Sequence, residues 1–560
     1  MPPSVNRETE IIEQRSLSAK QQYWTVSVLL ILSGIVLFYG LGRLPLVGPD
    51  EPRYAEVARE MFASRDLISP RLSGCLWFEK PVLLYWLVAA SYKAFGVNEF
   101  AARVPCAISA TLTALFLYYA VSKKVNINVA FLSGVVLLTS PLFIGFGRAA
   151  VTDMPLAWAV TAALLLLLLS IDAPAQQRLA LWILAWAMVG VAVLAKGLVG
   201  IVMFVAIGGA AFLLSRAPRP GAGLVALGLG VCAVVAGIWY VPVILEHGRA
   251  FTVEFFVNHH FKRYLTNEYH HPEPIFFYPS VVILGVVPWP GFLVPALARF
   301  RASARQPETA ARFLHWLAWS WLVIPILFFS FSESKLPGYI LPAIPALAII
   351  IGLEMRRVWD GQCTTSLRIA GYLTAVTAIA IGAGVIIYSR AELGSDSGIT
   401  VALAYLPLAF ALAATAALFA GRHRVFLMAT AAVVPSAILA AVVLLSSQLS
   451  MSLSYRDLSV KAAGELKPGE KIAFFIDHEY APVFYAQGRV LCGGKSNDVL
   501  NAMSTDDLIA ALGTYPSLIV ITDSKWLSAL AGDHRLRLHE IAQQRDKLAF
   551  RIELAPPGST

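Results

Sequence analysis

The sequence predicts a polytopic α-helical membrane protein with a small α/β domain at its C-terminal end. Three observations lead to this prediction. The 560 residues are 58% hydrophobic and 14% charged, and their mean hydropathy is +0.67, too apolar for a water-soluble domain of this length. The apolar residues fall in runs long enough to cross a bilayer. These runs stop near residue 450, where short β-branched or aromatic stretches begin to alternate with helix-like ones.

Thirteen apolar runs are predicted to span the membrane. They lie near residues 23–41, 103–122, 127–144, 154–171, 179–195, 198–215, 222–244, 276–299, 313–331, 337–354, 369–389, 400–420 and 426–447. A further apolar segment, Pro81–Phe95, is short and is bracketed by Glu79, Lys80 and Lys93. We predict that this segment is an amphipathic or re-entrant helix against the outer leaflet.

The basic residues give the predicted orientation. With thirteen spans, the loops on the side of the N-terminus hold Lys123, Lys124, Arg178, Arg216, Arg219, Arg301, Arg305, Arg312, Arg356, Arg357, Arg368, Arg422 and Arg424. An excess of Lys and Arg is typical of cytoplasmic loops. Counting Pro81–Phe95 as a span would place these basic residues outside. The net charge of +9 therefore indicates orientation and not nucleic-acid binding.

The predicted division places the transmembrane part at residues 1–450 and the α/β domain at 451–560. The first loop (42–102), the loop at 245–275 and the α/β domain then lie outside. We expect no cleavable signal peptide, because the first apolar run is long and follows a charged tail. The five cysteines show no metal-binding spacing. Only Cys75 and Cys492 would face an oxidising exterior, and we expect them to be unpaired, with a disulfide as the less favoured alternative.

Two adjacent carboxylates follow the first span, in the segment Gly48–Glu56. Acidic residues at a membrane boundary indicate a functional site. The alternative is that they complement the dipole at a helix start, which describes Glu51 better than Asp50. Later in the same loop, the segment Trp77–Pro81 would hold Glu79 and Lys80 at headgroup depth.

Four further outer segments carry candidate polar residues. The second loop supplies Arg148 and Asp153, the third supplies Lys196, and the segment Ser332–Tyr339 supplies Lys335 and Tyr339. Lys196 could bind phosphate or simply reach the interface. The loop at 245–275 holds five of the ten histidines; with Glu79 or Glu254 these could bind a divalent metal, although a plain polar loop is the favoured interpretation. Cations, carboxylates and aromatic rings together suit a phosphate-bearing lipid substrate.

Three motifs carry a resemblance to a known family: Gly48–Ala55 (GPDEPRYA), Trp77–Pro81 (WFEKP) and Lys335–Pro342 (KLPGYILP). With them the chain resembles, over its full length, the lipid-linked-sugar glycosyltransferases of the C-type fold. Within this group it is most similar to the bacterial lipid A 4-amino-4-deoxy-L-arabinose transferases, with protein O-mannosyltransferases as more distant relatives. The resemblance implies a C-type glycosyltransferase fold with about thirteen transmembrane helices and a periplasmic C-terminal domain.

The resemblance also implies an activity. The donor would be undecaprenyl phosphate bearing aminoarabinose, and the acceptor would be a phosphate of lipid A in the periplasmic leaflet of a Gram-negative inner membrane. Adding an amine lowers the negative surface charge, which would give resistance to polymyxin and other cationic peptides. We expect a monomer with no nucleotide cofactor and no nucleic-acid partner.

Each candidate residue has an expected role in this reaction. We assign catalysis to Asp50 and Asp153, and a divalent metal to Glu79 and His260. The expected substrate-binding residues are Arg53, Tyr54, Glu79, Lys80, Tyr85, Arg148, Lys196, Lys335 and Tyr339. One alternative is an enzyme like the protein O-mannosyltransferases. Another is a flippase for a lipid-linked sugar, which is disfavoured because the sequence shows no inverted repeat and its titratable residues gather at one face.

Overall fold

The computed structural model describes residues 4–255, 273–393, 398–444, 446–477, 479–493 and 500–556. Helices dominate the chain before residue 454. The first group comprises α1 (Ser4–Ser33), α2 (Asp50–Ser64), α3 (Leu83–Phe95), α4 (Glu99–Lys124), α5 (Ile127–Leu138), α6 (Pro141–Gly147), α7 (Asp153–Ser170), α8 (Ala175–Lys196), α9 (Val199–Ser215) and α10 (Ala222–Thr252). The second group comprises α11 (Phe277–Gly285), α12 (Leu293–Ala304), α13 (Thr309–Ser330), α14 (Ile344–Trp359), α15 (Thr365–Leu393), α16 (Gly398–Phe419), α17 (His423–Leu444) and α18 (Ser446–Leu453). A short hairpin of β1 (Arg71–Leu72) and β2 (Cys75–Leu76) lies in the first loop.

The predicted membrane-spanning architecture is confirmed. In the described part of the chain, ten helices are long and apolar enough to cross a bilayer, or twelve if each of two bent pairs is one span. One pair is α5 with α6, bent by 67°, and the other joins α11 to the segment 290–304 with a bend of 114°. The remaining predicted run corresponds to α9, a 17-residue apolar helix. Every predicted run therefore coincides with a helix or a bent pair of helices.

Helix α3 occupies the apolar segment that we predicted not to span. It has 13 residues, fewer than the roughly 20 that a membrane span needs. It packs against α2 and α4 through buried side chains that include Leu84, Val88 and Tyr92. The next helix begins directly afterwards, where the Asn98 side chain accepts a hydrogen bond from the backbone N–H of Ala101. The structure thus agrees with a helix that lies beside the bundle.

The C-terminal region forms an α/β domain with a five-stranded sheet. Its strands are β3 (Lys471–Phe475), β4 (Asn501–Ala502), β5 (Leu518–Asp523), β6 (Leu536–Gln544) and β7 (Lys547–Leu554), in the order β4-β3-β5-β7-β6. The strands β4, β3 and β5 run parallel to one another, whereas β7 runs antiparallel to both of its neighbours, β5 and β6. Its helices are α19 (Arg456–Gly464), α20 (Ala481–Tyr485), α21 (Thr505–Leu512) and α22 (Leu527–Ala531). All six residues of β5 are buried, as expected for a central strand covered on both faces.

A disulfide joins this domain to the first loop and corrects one prediction. Cys75 and Cys492 are bonded, with their Cα atoms 6.1 Å apart, so the expectation that they are unpaired is wrong. The two cysteines are 417 residues apart in the sequence. Their pairing depends on how the C-terminal domain docks against the first loop, and the pattern of residues contains no information on that docking.

Candidate functional site

A cavity of about 670 Å³ lies at the end of the bundle that carries the C-terminal domain. Its polar side is formed by residues from four different connections between helices, namely Asp50, Tyr54, Glu79, Lys80, Asp153, Lys196 and Tyr339. Its apolar side includes Leu198, Val199, Val202, Phe328, Phe329 and Leu336. The arrangement places ionic groups beside a wall that suits a lipid chain.

Asp50 is the first residue of α2, the helix that follows the first span. Gly48 turns the chain into this helix with φ +64°, a left-handed conformation that glycine adopts without strain. The Oδ1 atom of Asp50 lies 2.5 Å from Nη2 of Arg53, one turn further along α2. The Asp50 side chain is still 43% exposed. The carboxylate is therefore held by one cation and remains open to the cavity.

Arg53 links Asp50 to a second carboxylate. Its Nη1 atom lies 3.4 Å from Oε2 of Glu79, and Oε1 of Glu79 accepts a hydrogen bond of 2.7 Å from Nζ of Lys80. Burial opposes the charged form of Arg53, but the carboxylates of Glu79 and Asp50 outweigh it and hold the Arg53 pKa above its usual value. Arg53 is absent from the cavity lining that the structure describes, so it acts as the connection between two residues that do line it.

The second ion pair of the cavity joins the start of α7 to the end of α8. Nζ of Lys196 lies 2.6 Å from Oδ1 of Asp153 and 4.9 Å from the centre of the Tyr339 ring. The backbone approaches closely here, because a Cβ atom on Gly338 would lie 2.5 Å from Oδ1 of Asp153. Glycine at 338 thus leaves the space in which the Asp153 carboxylate sits.

Glu51, next to Asp50, is buried in a different network. Its carboxylate accepts two hydrogen bonds from Arg103, at 2.8 and 2.7 Å. It also accepts hydrogen bonds from the backbone N–H groups of Ala150, at 2.8 Å, and Val47, at 3.0 Å. This network ties the start of α2, α4 and the loop before α7 together. Glu51 does lie in the first turn of α2, but its partners Arg103 and Ala150 are 52 and 99 residues away in the sequence.

The remaining predicted residues differ in their distance from the cavity. Tyr54 lines the cavity, and the Tyr85 ring packs on the Tyr54 ring. Burial raises the pKa of both phenols, so both are neutral. Arg148 donates to the carbonyl oxygens of Val36 and Tyr39 at 3.0 and 3.1 Å, and Lys335 is buried in the loop after α13. Within the described ranges neither cation lines the cavity or pairs with a carboxylate. Their predicted substrate contacts remain predictions.

The predicted metal pair falls partly outside the described residues, because His260 lies in the segment 256–272. Among the residues that the structure describes, no group of three or more His, Cys, Asp or Glu side chains could hold a metal ion. Both oxygens of Glu79 already face cations, Lys80 and Arg53. A divalent ion at Glu79 would compete with these two side chains.

Sequence reasoning did not find two residues of this region. Arg103, the partner of Glu51, stands at the start of an apolar run, where its single charge was the available signal. Tyr480 of the C-terminal domain places its ring centre 4.6 Å from Cζ of Arg53. No motif marks Tyr480, because its role depends on the docking of the domain.

Comparison with known proteins supports the resemblance inferred from the motifs. Residues 79–243 match the family model described as dolichyl-phosphate-mannose-protein mannosyltransferase. The undecaprenyl phosphate-α-4-amino-4-deoxy-L-arabinose arabinosyl transferase of Erwinia tasmaniensis is 32% identical over 56% of this chain and 57% of its own length. The second such transferase of Proteus mirabilis is 31% identical over 64% of this chain and 65% of its own length. The chain thus spans less than two thirds of these relatives.

Solved structures extend the likeness to nearly the whole chain. The crystal structure of ArnT from Cupriavidus metallidurans bound to undecaprenyl phosphate is 24% identical, with a TM-score of 0.76 over 94% of this chain and 97% of ArnT. The oligosaccharyltransferase of Archaeoglobus fulgidus has a TM-score of 0.50 over 90% of this chain and 70% of its own, at 13% identity. The predicted C-type glycosyltransferase fold is confirmed by these likenesses.

Proposed function

We propose that this protein transfers 4-amino-4-deoxy-L-arabinose from undecaprenyl phosphate to a phosphate group of lipid A. The observation that carries the proposal is the cavity, in which two lysine–carboxylate pairs face an apolar wall. The names of curated relatives of about 30% identity state the donor, undecaprenyl phosphate-α-4-amino-4-deoxy-L-arabinose, and the transfer of its sugar. The reaction would confer resistance to polymyxin and cationic antimicrobial peptides, because the added amine lowers the negative charge of the outer surface.

The charges of the cavity suit both ends of the breaking bond. As the bond between the anomeric carbon and the donor phosphate oxygen breaks, negative charge grows on the polyprenyl phosphate and the sugar becomes oxocarbenium-like. Lys80 and Lys196 line the cavity and would stabilise the phosphates of donor and acceptor. Asp50, with its open carboxylate, would stabilise the positive charge at the anomeric carbon.

The acceptor determines whether a base is needed. A lipid A phosphate is already anionic at neutral pH, so its oxygen can attack the anomeric carbon without losing a proton. Asp50 would then act mainly through its charge and through positioning. Asp153, held by Lys196 at 2.6 Å, would orient the acceptor or the amine of the sugar.

We further propose that the cavity faces the periplasm of a Gram-negative inner membrane. The disulfide between Cys75 and Cys492 lies at the cavity end, and disulfides persist in oxidising compartments. At the opposite end of the bundle, basic residues lie in the loop after α9 and in the helix ends beside the loops after α7 and α14, namely Arg178, Arg216, Arg219, Arg356, Arg357 and Arg368. That distribution agrees with a cytoplasmic location of the opposite end.

A divalent cation at Glu79 and His260 is a separate proposal with its own test. Elemental analysis of the purified protein and transfer assays after exhaustive chelation would examine it. A bound metal, together with loss of activity on chelation and recovery on metal addition, would support the site. Undiminished activity in a metal-free sample would refute it.

Mass spectrometry of lipid A from cells with and without the gene tests the proposed function. We expect the aminoarabinose adduct to be lost in the deletion strain while the lipid-linked donor remains on the outer leaflet. Complementation with Asp50→Asn should leave the adduct absent, whereas the unaltered gene should restore it. An unchanged adduct in the deletion strain would refute the proposal.

The same two strains separate two other functions when protein-linked mannose and the leaflet of the donor are also measured. The family model that matches residues 79–243 is described by protein mannosylation, which favours a protein O-mannosyltransferase as second candidate. Loss of protein-linked mannose with intact lipid A modification would indicate that enzyme. Retention of the donor on the inner leaflet would indicate a flippase.

A further inference from the structure

The C-terminal domain places an aromatic ring against Arg53, which belongs to a charged cluster at the cavity made of Asp50, Arg53, Glu79 and Lys80. The ring centre of Tyr480 lies 4.6 Å from Cζ of Arg53. The rings of Trp77 and Tyr54, both from the first loop, lie at 5.6 and 5.9 Å. Of these three rings, the nearest one therefore comes from a separate domain. A cation at this distance from an aromatic face is attracted by the ring quadrupole.

Several contacts fix the position of the segment that follows Tyr480. The hydroxyl of Tyr485 accepts a hydrogen bond of 3.0 Å from the N–H of Leu46 and donates one of 3.1 Å to Glu99. Helix α20 packs against α2, and the disulfide anchors Cys492 to the first loop. The Tyr480 ring is thus held against Arg53 by a docked surface and a covalent bond.

Arg53 is the shared partner of two acidic residues in the cavity. It lies 2.5 Å from Asp50 and 3.4 Å from Glu79, and Glu79 in turn holds Lys80 at 2.7 Å. A movement of the guanidinium would change the position of one carboxylate and the charge balance around Lys80. Arginine has many rotamers, so a packed ring that restricts them keeps the cluster in one arrangement.

We propose that Tyr480 is a positioning residue that acts through Arg53 on Asp50 and on the Glu79–Lys80 pair. The C-terminal domain is then a functional part of the transferase site, and its docking sets the rate of transfer. The inference rests on the proposed function for the reaction that it affects.

The test compares three variants of the full-length protein, reconstituted with the lipid-linked aminoarabinose donor and lipid A. Tyr480→Leu keeps an apolar side chain without a π-face, whereas Tyr480→Phe keeps the ring. Tyr455→Leu is the matched control, because the Tyr455 ring lies 4.2 Å from Cζ of Arg545 in the same domain and is absent from the described cavity lining. We expect kcat to fall about 2- to 30-fold in Tyr480→Leu, and to stay within about 2-fold of wild type in the other two variants.

Two results would overturn the inference: wild-type kcat in Tyr480→Leu, or equal losses in Tyr480→Leu and Tyr480→Phe. Thermal melting of each variant separates positioning from folding, since a purely structural role would lower the melting temperature and leave kcat per folded molecule unchanged. A wild-type protein that does not transfer aminoarabinose would refute the proposed function alone. The same variants are then compared by their affinity for undecaprenyl phosphate, where we expect weaker binding only in Tyr480→Leu; equal affinities would overturn the inference.

Discussion

Asp50 and Glu51 are adjacent carboxylates in the first turn of one helix, and the structure gives them opposite environments. The Asp50 side chain is 43% exposed and pairs with one cation. The Glu51 side chain is 3% exposed, and its two oxygens accept hydrogen bonds from Arg103, Ala150 and Val47. Consecutive helical residues point about 100° apart, so one faces the cavity and the other faces the bundle. A carboxylate can act on a substrate only where some of its acceptor capacity is unused.

The largest loss of transfer is expected from Asp50→Asn, which tests the contrast between Asp50 and Glu51 directly. The substitution keeps the shape of the side chain and removes its charge. We expect transfer by the reconstituted protein to fall by at least about 100-fold, because a group aimed at transition-state charge typically contributes that much. The melting temperature should change little, since the side chain is partly exposed. Asp457→Asn, at an exposed acidic residue in the first turn of α19, is the control and should retain activity.

Near-wild-type transfer by Asp50→Asn would remove Asp50 from the mechanism. The difference between the two adjacent residues would then be one of packing alone. Asp153 would become the principal carboxylate of the cavity, because it lines the cavity and pairs with Lys196, apart from the Asp50–Arg53–Glu79 cluster.

The sequence predicted most of the fold because a bilayer imposes a simple rule on it. Every span needs a long apolar run, and basic residues gather on one side of the membrane. The convergence of Asp50, Asp153, Lys196 and Tyr339 follows from the same rule. Connections on one side of a bundle meet at one end, whatever the packing of the helices between them.

The contacts within the site could not be predicted in the same way. Glu51 and Arg103 are 52 residues apart, and the two cysteines of the disulfide are 417 apart. Both pairings depend on the relative placement of elements, which the hydrophobic pattern does not determine. Arg148 illustrates the limit for side chains, because its guanidinium faces the carbonyl groups of Val36 and Tyr39 although its loop was placed correctly at the cavity end.

A second, smaller effect is expected from Gly338→Ala. The added Cβ would lie 2.5 Å from Oδ1 of Asp153, the atom that faces Lys196, and 2.8 Å from the Phe146 ring. A shift of the carboxylate or of the backbone at 338 would then disturb the Asp153–Lys196 pair. We expect transfer to fall about 10- to 100-fold, since a displacement of the order of 1 Å can have that effect. Gly145→Ala, where an added Cβ meets nothing within 4 Å, should behave like wild type. Equal activities of the two variants would show that the position of Asp153 does not limit transfer.

The smallest effect on transfer, and the largest on stability, is expected at Glu51. Glu51→Gln and Arg103→Met each leave one charge of a buried pair without its partner, which typically costs about 3 to 5 kcal/mol of unfolding free energy. Arg103→Met should be the more damaging change, because Arg103 also donates to the carbonyl groups of Leu41, Leu44 and Pro45.

Thermal melting in detergent measures the effect on stability, and kcat per folded molecule measures the effect on transfer. We expect lower melting temperatures with kcat close to wild type in both variants, and a double variant that costs less than the sum of the single ones, because neither charge is then left alone. A large loss of kcat in folded Glu51→Gln would mean that the buried network also sets the position of Asp50. The two adjacent carboxylates would then form one functional unit, since the helix start that Glu51 anchors to α4 is the same turn that presents Asp50 to the cavity.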